Sequence, residues 1–286
     1  MHNNNLSPIP FYSSVAEQDF KKWYAFGEHT PLRVSASYLL PFFFYRSGAT
    51  SSPSVTSVTF YNECGNSVSI SSTYTNAIKN AISTYTNGGG VTFYFTKTSS
   101  AMSLPKGYYY MDIAVKVANT TTHFYSELFQ VCPDAENTRD CVSVKWYDAE
   151  DVSINGGGVI PFAHQAASTY YYNQLYLHTD IGMPEYSFTE DGEDRDGYFF
   201  PVKKISEKVY KMTFLATESL CDCLRLACQS DVLKITDKNN KVYDVEHFEM
   251  NVTWLDGGFF AQVDCSFETD TVVKKIGKAY GTINSR

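Results

Sequence analysis

Positive charge is in short supply. The chain's 286 residues carry 23 Lys and Arg against 31 Asp and Glu, a formal net charge of −8. A general binder of the nucleic-acid backbone needs a basic face, so no nucleic-acid partner is expected. Long apolar runs are missing too. The longest near the start, Tyr38–Tyr45 (YLLPFFFY), contains Pro41 and falls far short of a membrane span. The opening MHNNNLSPIP has neither the basic nor the apolar region of a secretion signal. The expectation is a protein made in a cytoplasm and soluble there, with no membrane partner. Its seven cysteines, an odd number, are then expected to be reduced. The sequons at Asn119 and Asn251 carry no meaning in such a compartment.

Catalytic signatures are absent as well. The chain holds no CxxC pair, no GxSxG elbow and no HExxH helix. Its two Gly-Gly-Gly runs precede no GK[ST] and match no GxGxxG, so they read as linkers rather than phosphate cradles. The six His are scattered and nothing selects one. The expectation is a protein that is not an enzyme, with no cofactor and no metal.

What the chain has is aromatic side chains, 22 Tyr and 20 Phe. These favour half-buried pleated surfaces and point to strands. The length favours two domains over one. Residues 1–29 read as an N-terminal arm. Ser14 to Glu17 fits a capping box, and Val15, Phe20, Trp23, Tyr24 and Phe26 follow before Gly27, a short helix that needs a surface to lie on. Residues 30–145 read as an immunoglobulin-like β-sandwich. Its strands are Arg33–Tyr45, Ser54–Tyr61, Val91–Thr96, Tyr108–Val117 and His123–Cys132, without the Cys…Trp…Cys hallmark of antibody domains. Within it Tyr74, Ile78, Ile82 and Tyr85 recur at helical spacing, which predicts one helix ended by the glycines after Asn87.

Residues 146–286 read as an antiparallel α+β domain with one short helix. In Ala261–Glu268 (AQVDCSFE), Ala261, Val263, Cys265 and Phe267 alternate with polar residues, the mark of a strand buried on one face. Tyr210, Met212 and Phe214 repeat that pattern within Lys208–Leu215. Asp237 to Asn240 links two further strands as a hairpin. Leu220, Cys223, Leu224, Ala227 and Cys228 share a helical face that Thr217 or Ser219 can cap. The fold class is mainly β / α+β.

Thr189–Pro201 (TEDGEDRDGYFFP) is the most charged stretch. An EF-hand loop with Gly197 at its sixth position would put Gly192 first and Lys203 twelfth, where carboxylates are required. A catalytic pair needs carboxyls in unlike environments, which a solvated acidic run lacks. The stretch reads as a charged surface turn whose acids steer a subunit contact. Cys221 and Cys223, two apart on a helix, cannot easily share an ion. Cys132 and Cys141 bracket the loop PDAENTRD and stay open as a disulfide under oxidising conditions. Tyr108–Tyr110 and Tyr170–Tyr172 send their middle residue to the opposite side from its neighbours, so half of each cluster is core and half a contact. The candidate interface residues are Trp23, Tyr109, Tyr171, Asp194 and Asp196.

Several phrases carry a resemblance: GYYYMDI with HFYSELFQ, then DIGMPEYSFTEDGEDRDGYFFPVKKISEKVYKMTFLATESLCDCLRL, DVLKITDKNNKVYDV and FETDTVVKKIGKAY. From about residue 108 onward the chain resembles a group of tail-associated structural proteins of Bacteroidetes phages and prophages. Upstream it matches only loosely, through LPFFFYRSG. The resemblance implies a virion component of the tail, baseplate or neck, made in the bacterial host cytoplasm. Its partners would be other phage virion proteins and copies of itself in a ring. It brings no catalytic residue. A second expectation is a virion-borne binder of host-surface glycan, using the Tyr clusters beside the acidic stretch. A third, a hydrolase, would need opposed carboxylates drawn from Glu190, Glu193, Asp194 and Asp196.

Overall fold

Apolar and polar residues alternate along much of the chain, and the alternation builds strands. The computed structural model describes residues 6–19, 32–36, 42–47, 54–86, 91–96, 104–147, 165–166, 169–170, 173–195, 197–269 and 273–276. In chain order, β1 is Phe11–Tyr12, β2 Leu32–Ser35, β3 Phe43–Ser47 and β4 Ser54–Tyr61. Helix α1 (Ser72–Ala81) precedes β5 (Ile82–Thr86) and β6 (Val91–Thr96). Next come β7 (Gly107–Val117), β8 (Thr120–Ser126), β9 (Phe129–Cys132), α2 (Asp134–Asp140) and β10 (Val142–Tyr147). The pair β11 (Gln165–Ala166) and β12 (Thr169–Tyr170) leads to β13 (Asn173–Leu177), β14 (Glu185–Arg195) and β15 (Tyr198–Ala216). Helix α3 (Glu218–Ala227), β16 (Val232–Thr236), β17 (Val242–Trp254), β18 (Ala261–Thr269) and β19 (Val273–Ile276) complete the order. The class is mainly β / α+β.

One mixed sheet of 14 strands runs through both halves, in the order β1-β8-β7-β9-β2-β13-β10-β16-β17-β18-β15-β14, with β4 on β7 and β19 on β15. Strand β10 crosses the boundary expected after residue 145, because its inward side chains Val142, Val144 and Trp146 belong to the C-terminal core. Two cores therefore lie along one sheet. In the N-terminal core, β3, β5 and β6 form a second layer facing β4, β7 and β8. Phe44 bridges the layers, its ring 4.8 Å from Tyr94 and 4.6 Å from Phe124. The C-terminal core packs α3 against β10 and β15–β18.

The expected strands of the second half hold. Ala261, Val263, Cys265 and Phe267 are all buried, as are Tyr210, Met212 and Phe214. Thr217 caps α3, its Oγ1 accepting from the Leu220 N–H at 3.4 Å. Two helix expectations need correction. Helix α1 stops at Ala81, and Ile82 and Tyr85 extend into β5, where the β-branched and aromatic run ISTYT pairs with β6. PDAENTRD, expected as a loop, is helix α2, with Asp134 and Glu136 in its first turn and Arg139 in its last, as the helix dipole favours.

The N-terminal arm also needs correction over residues 6–19. After Ser14 there is only one 3-10 turn, Val15–Glu17, and Ser13 rather than Ser14 partners Glu17. The segment is built into the fold. Strand β1 pairs with β8, and Phe11 lies 5.1 Å from Phe42 and 5.0 Å from Phe44, ring to ring. Trp23 and the rest of the expected arm helix lie outside the described residues. Replacing Phe11 by Ala is expected to lower unfolding stability by about 3–5 kcal/mol, the cost of a cavity left by a core aromatic. Urea denaturation measures it, and an unchanged midpoint would show that the segment is not part of the core.

Candidate functional site

The stretch 189–201 is mostly strand, a correction to the surface-turn reading. Residues 189–195 belong to β14 and 198–201 to β15, with Arg195 registered across from Tyr198. Only residues 196 and 197 lie between, an Asp-Gly dipeptide suited to a tight hairpin, and Gly197 has φ +81°. Extended backbone rises ~3.3 Å per residue and sends neighbours to opposite faces, so Glu190, Asp191, Glu193 and Asp194 spread rather than converge. Among the described residues no three His, Cys, Asp or Glu side chains are placed to hold a metal ion. Asp194 is exposed, and Asp196 lies outside the described residues. Glu190 instead takes a cross-strand partner, Lys204, at 2.6 Å.

This hairpin and β19 make a three-stranded arm, β14-β15-β19. Among the described side chains from Asp180 to Val209 none is buried. Tyr186 is 59% exposed, Phe188 80% and Val273 69%. Phe188, Ser206 and Val273 are registered in one row across the strands, so two of these apolar groups lie on a single face.

The first tyrosine cluster divides by parity. Tyr109 faces the core between Phe60 and Phe129, its hydroxyl donating to the Pro105 carbonyl at 3.2 Å. It is 6% exposed and offers no surface to a partner, which corrects its candidacy as an interface residue. Tyr108, on the other side, is exposed. Tyr110 shares that outer side but is buried beneath Tyr61, Leu128 and Phe260. Tyr171 lies outside the described residues.

The outer face of β4, β7 and β8 holds a group that the sequence did not signal. His123 Nδ1 stands 2.9 and 3.0 Å from the two carboxylate oxygens of Asp112. An ionised Asp112 only accepts, so it fixes the proton on Nδ1. Burial raises the Asp112 carboxyl above the usual carboxylate range, and the hydrogen bond from His123 partly offsets that rise. Tyr125 stacks on His123 at 6.2 Å, and Tyr61 on Tyr110 at 5.2 Å. A carboxylate-oriented imidazole can act as a general base. Among the described residues, however, His123 makes no hydrogen bond to a Ser, Thr or Cys, so the group presents rings and polar atoms rather than a primed nucleophile. The tight connection at 118–119, with Ala118 at φ 52°, sets the β7–β8 register and brings His123 diagonal to Asp112.

A second buried polar group is structural. Glu127, 4% exposed, accepts from the N–H groups of Asp19 at 2.8 Å and Leu128 at 3.0 Å. Gln18 donates to the Ser126 carbonyl at 2.5 Å. Burial, then Glu127 and Asp19, push the Tyr12 phenol far up. These bonds fasten residues 12–19 to the β8–β9 connection. Nearby lie two small pockets of about 20 and 140 Å³, where α3 meets Leu32. Both fall below the ~300–1,000 Å³ usual for small-molecule sites.

No protein-family model matches the chain, and comparison with curated proteins finds no similar one.

All seven cysteines are free thiols. Burial pushes Cys221 up to about 11 and raises Cys223 and Cys265 well above the usual range. It raises Cys132 and Cys141 too, although Arg33 Nη1 lies 3.6 Å from the Cys141 sulfur and favours its thiolate. Cys228, expected on the buried face of α3, is exposed because it caps the helix past its packed turns. Its thiol still donates to the Leu224 carbonyl at 3.6 Å and is raised by burial. The expected outcome with Ellman's reagent on the native chain is two reacting thiols, Cys64 first and Cys228 more slowly. The other five should react only after denaturation. More than two fast thiols would contradict the packing.

Proposed function

We propose that this chain is a bacteriophage virion structural protein of the tail, baseplate or neck, acting through protein–protein contacts and not through catalysis. The observation that carries the reading is the arm. Strands β14, β15 and β19 extend Tyr186, Phe188 and Val273 into solvent with no buried side chain among those described from Asp180 to Val209. Exposed apolar groups on a projecting element are retained where a partner covers them. The resemblance of these same strands to tail-associated phage proteins supplies the context. Other virion proteins and further copies of the chain are the proposed partners, and the virion is its proposed location. Among the described residues no helix is long and apolar enough to cross a membrane. Mass spectrometry of purified particles is expected to find the chain at a copy number divisible by a ring symmetry. Its absence from the particle would remove the reading.

A second reading, binding of host-surface glycan, is favoured by the outer face of β4, β7 and β8. Tyr125 and His123 stack there beside Asp112, offering a ring for a sugar face and polar atoms for its hydroxyls. Glycan-array binding that Tyr125→Ala abolishes would support this reading. No binding by the intact chain would end it.

A further inference from the structure

The arm ends in two strand edges of opposite charge. Among the described residues β14 and β19 each pair with β15 alone, so each leaves one row of backbone groups unmatched by a described strand. Such an edge is a template for another strand. Strand β14 carries Glu185, Glu190, Asp191, Glu193 and Asp194 against a single Arg195. Strand β19 reads Val-Lys-Lys-Ile, with no acid.

Register sharpens the contrast. One row across the arm is Glu190, Lys204, Lys275, and the next on that face is Phe188, Ser206, Val273. Lys204 already holds Glu190 at 2.6 Å. Lys275 is registered beside Lys204, a like-charge neighbour that costs stability unless an anion flanks it. Among the described strands β19 has none on its outer edge, where an anion from another chain would sit beside Lys275.

From these edges we infer that copies of this chain join head to tail, β14 of one copy adding to β19 of the next. The inference rests on the assembly role proposed above and names its contact. Strands β14 and β19 are both antiparallel to β15, so a side-by-side repeat of the arm sets β14 parallel to the neighbour's β19. With the rows unslipped, Glu190 meets the neighbour's Lys275 and Phe188 meets its Val273. Charge excludes the symmetric alternatives. Pairing β14 with β14 sets acid against acid, and β19 with β19 sets lysine against lysine. A contact between unlike edges repeats into a ring or a filament and does not stop at a two-fold dimer.

Sedimentation velocity of the full chain at low ionic strength tests the contact. The wild-type chain is expected to sediment as species larger than a monomer, growing with concentration and dissociating as salt screens the charges. Lys275→Glu is expected to weaken association roughly tenfold by turning an attraction into a repulsion. The double change E190K/K204E does the same from the other edge while keeping the internal ion pair with its polarity reversed, so the arm still folds. Combining all three changes in one chain restores opposite edges and should restore association. A wild-type chain that stays monomeric, association indifferent to both reversals, or a triple variant no better than the single one would each overturn the contact. Association that persists through the reversals still fits an assembly role by another surface. Absence of the chain from particles bears on that role alone.

Discussion

Three consecutive phenylalanines tie the molecule together. Strand geometry alternates side chains, so Phe42 and Phe44 enter the N-terminal core while Phe43 enters the C-terminal one. All three are fully buried. The N–H of Phe43 donates to the Ser7 hydroxyl at 3.0 Å, and Ile9 and Phe11 follow Ser7 into the N-terminal core. One short segment therefore locks the N-terminal residues, the sandwich layer and the C-terminal sheet to one another. A slip of one residue there would send Phe43 into the N-terminal core and its neighbours Phe42 and Phe44 toward the C-terminal one. Leu32 packs against both cores as well, at the strand where the two halves of the sheet meet.

That constraint explains what could be read in the chain before its structure. Where one face is buried and the other wet, period-two alternation is unambiguous, and β18 and the part of β15 from Lys208 to Leu215 are legible residue by residue. Where a segment serves two cores, alternation disappears. YLLPFFFY is apolar on both sides and gives no register. Segments held by polar bonds rather than by pattern were also misread. Over residues 14–19 the expected helix gives way to a 3-10 turn and to the bonds of Gln18 and Glu127, since a short isolated helix is marginal and a buried satisfied carboxylate is not. The His123–Asp112 pair was invisible for a different reason. Its members are eleven positions apart in sequence and meet only through the β7–β8 register.

The acidic stretch shows how composition can mislead about shape. Five acids and two glycines suggest a loop, yet the four acids from Glu190 to Asp194 each have a place on the β14–β15 ladder. Glu190 and Asp191 sit across from Lys204 and Lys203, and Glu185 pairs with Lys211 at 2.8 Å. Each exposed pair contributes only ~0–1 kcal/mol, so the charges choose the register more than they stabilise the strand. Their worth is selective: a slipped ladder would part Glu190 and Asp191 from Lys204 and Lys203.

Stability of the arm then has to come from elsewhere, and β15 supplies it. Its 19 residues span about 60 Å at the extended rise. The C-terminal part, from Tyr210 to Ala216, is held by eight register pairs with β18 counted from Val209, and its inward side chains are buried in the main core. The N-terminal part continues the same strand beyond the core, and β14 and β19 are held to it by backbone bonds, with no buried side chain among those described from Asp180 to Val209. Such an element opens locally at lower free energy than the core that anchors it. A neighbour that lays a strand along the arm therefore gains backbone hydrogen bonds and buried apolar area while ordering a segment that is already extended. In the head-to-tail contact proposed above, the rigid half of β15 would aim the arm and the exposed half would meet the neighbour.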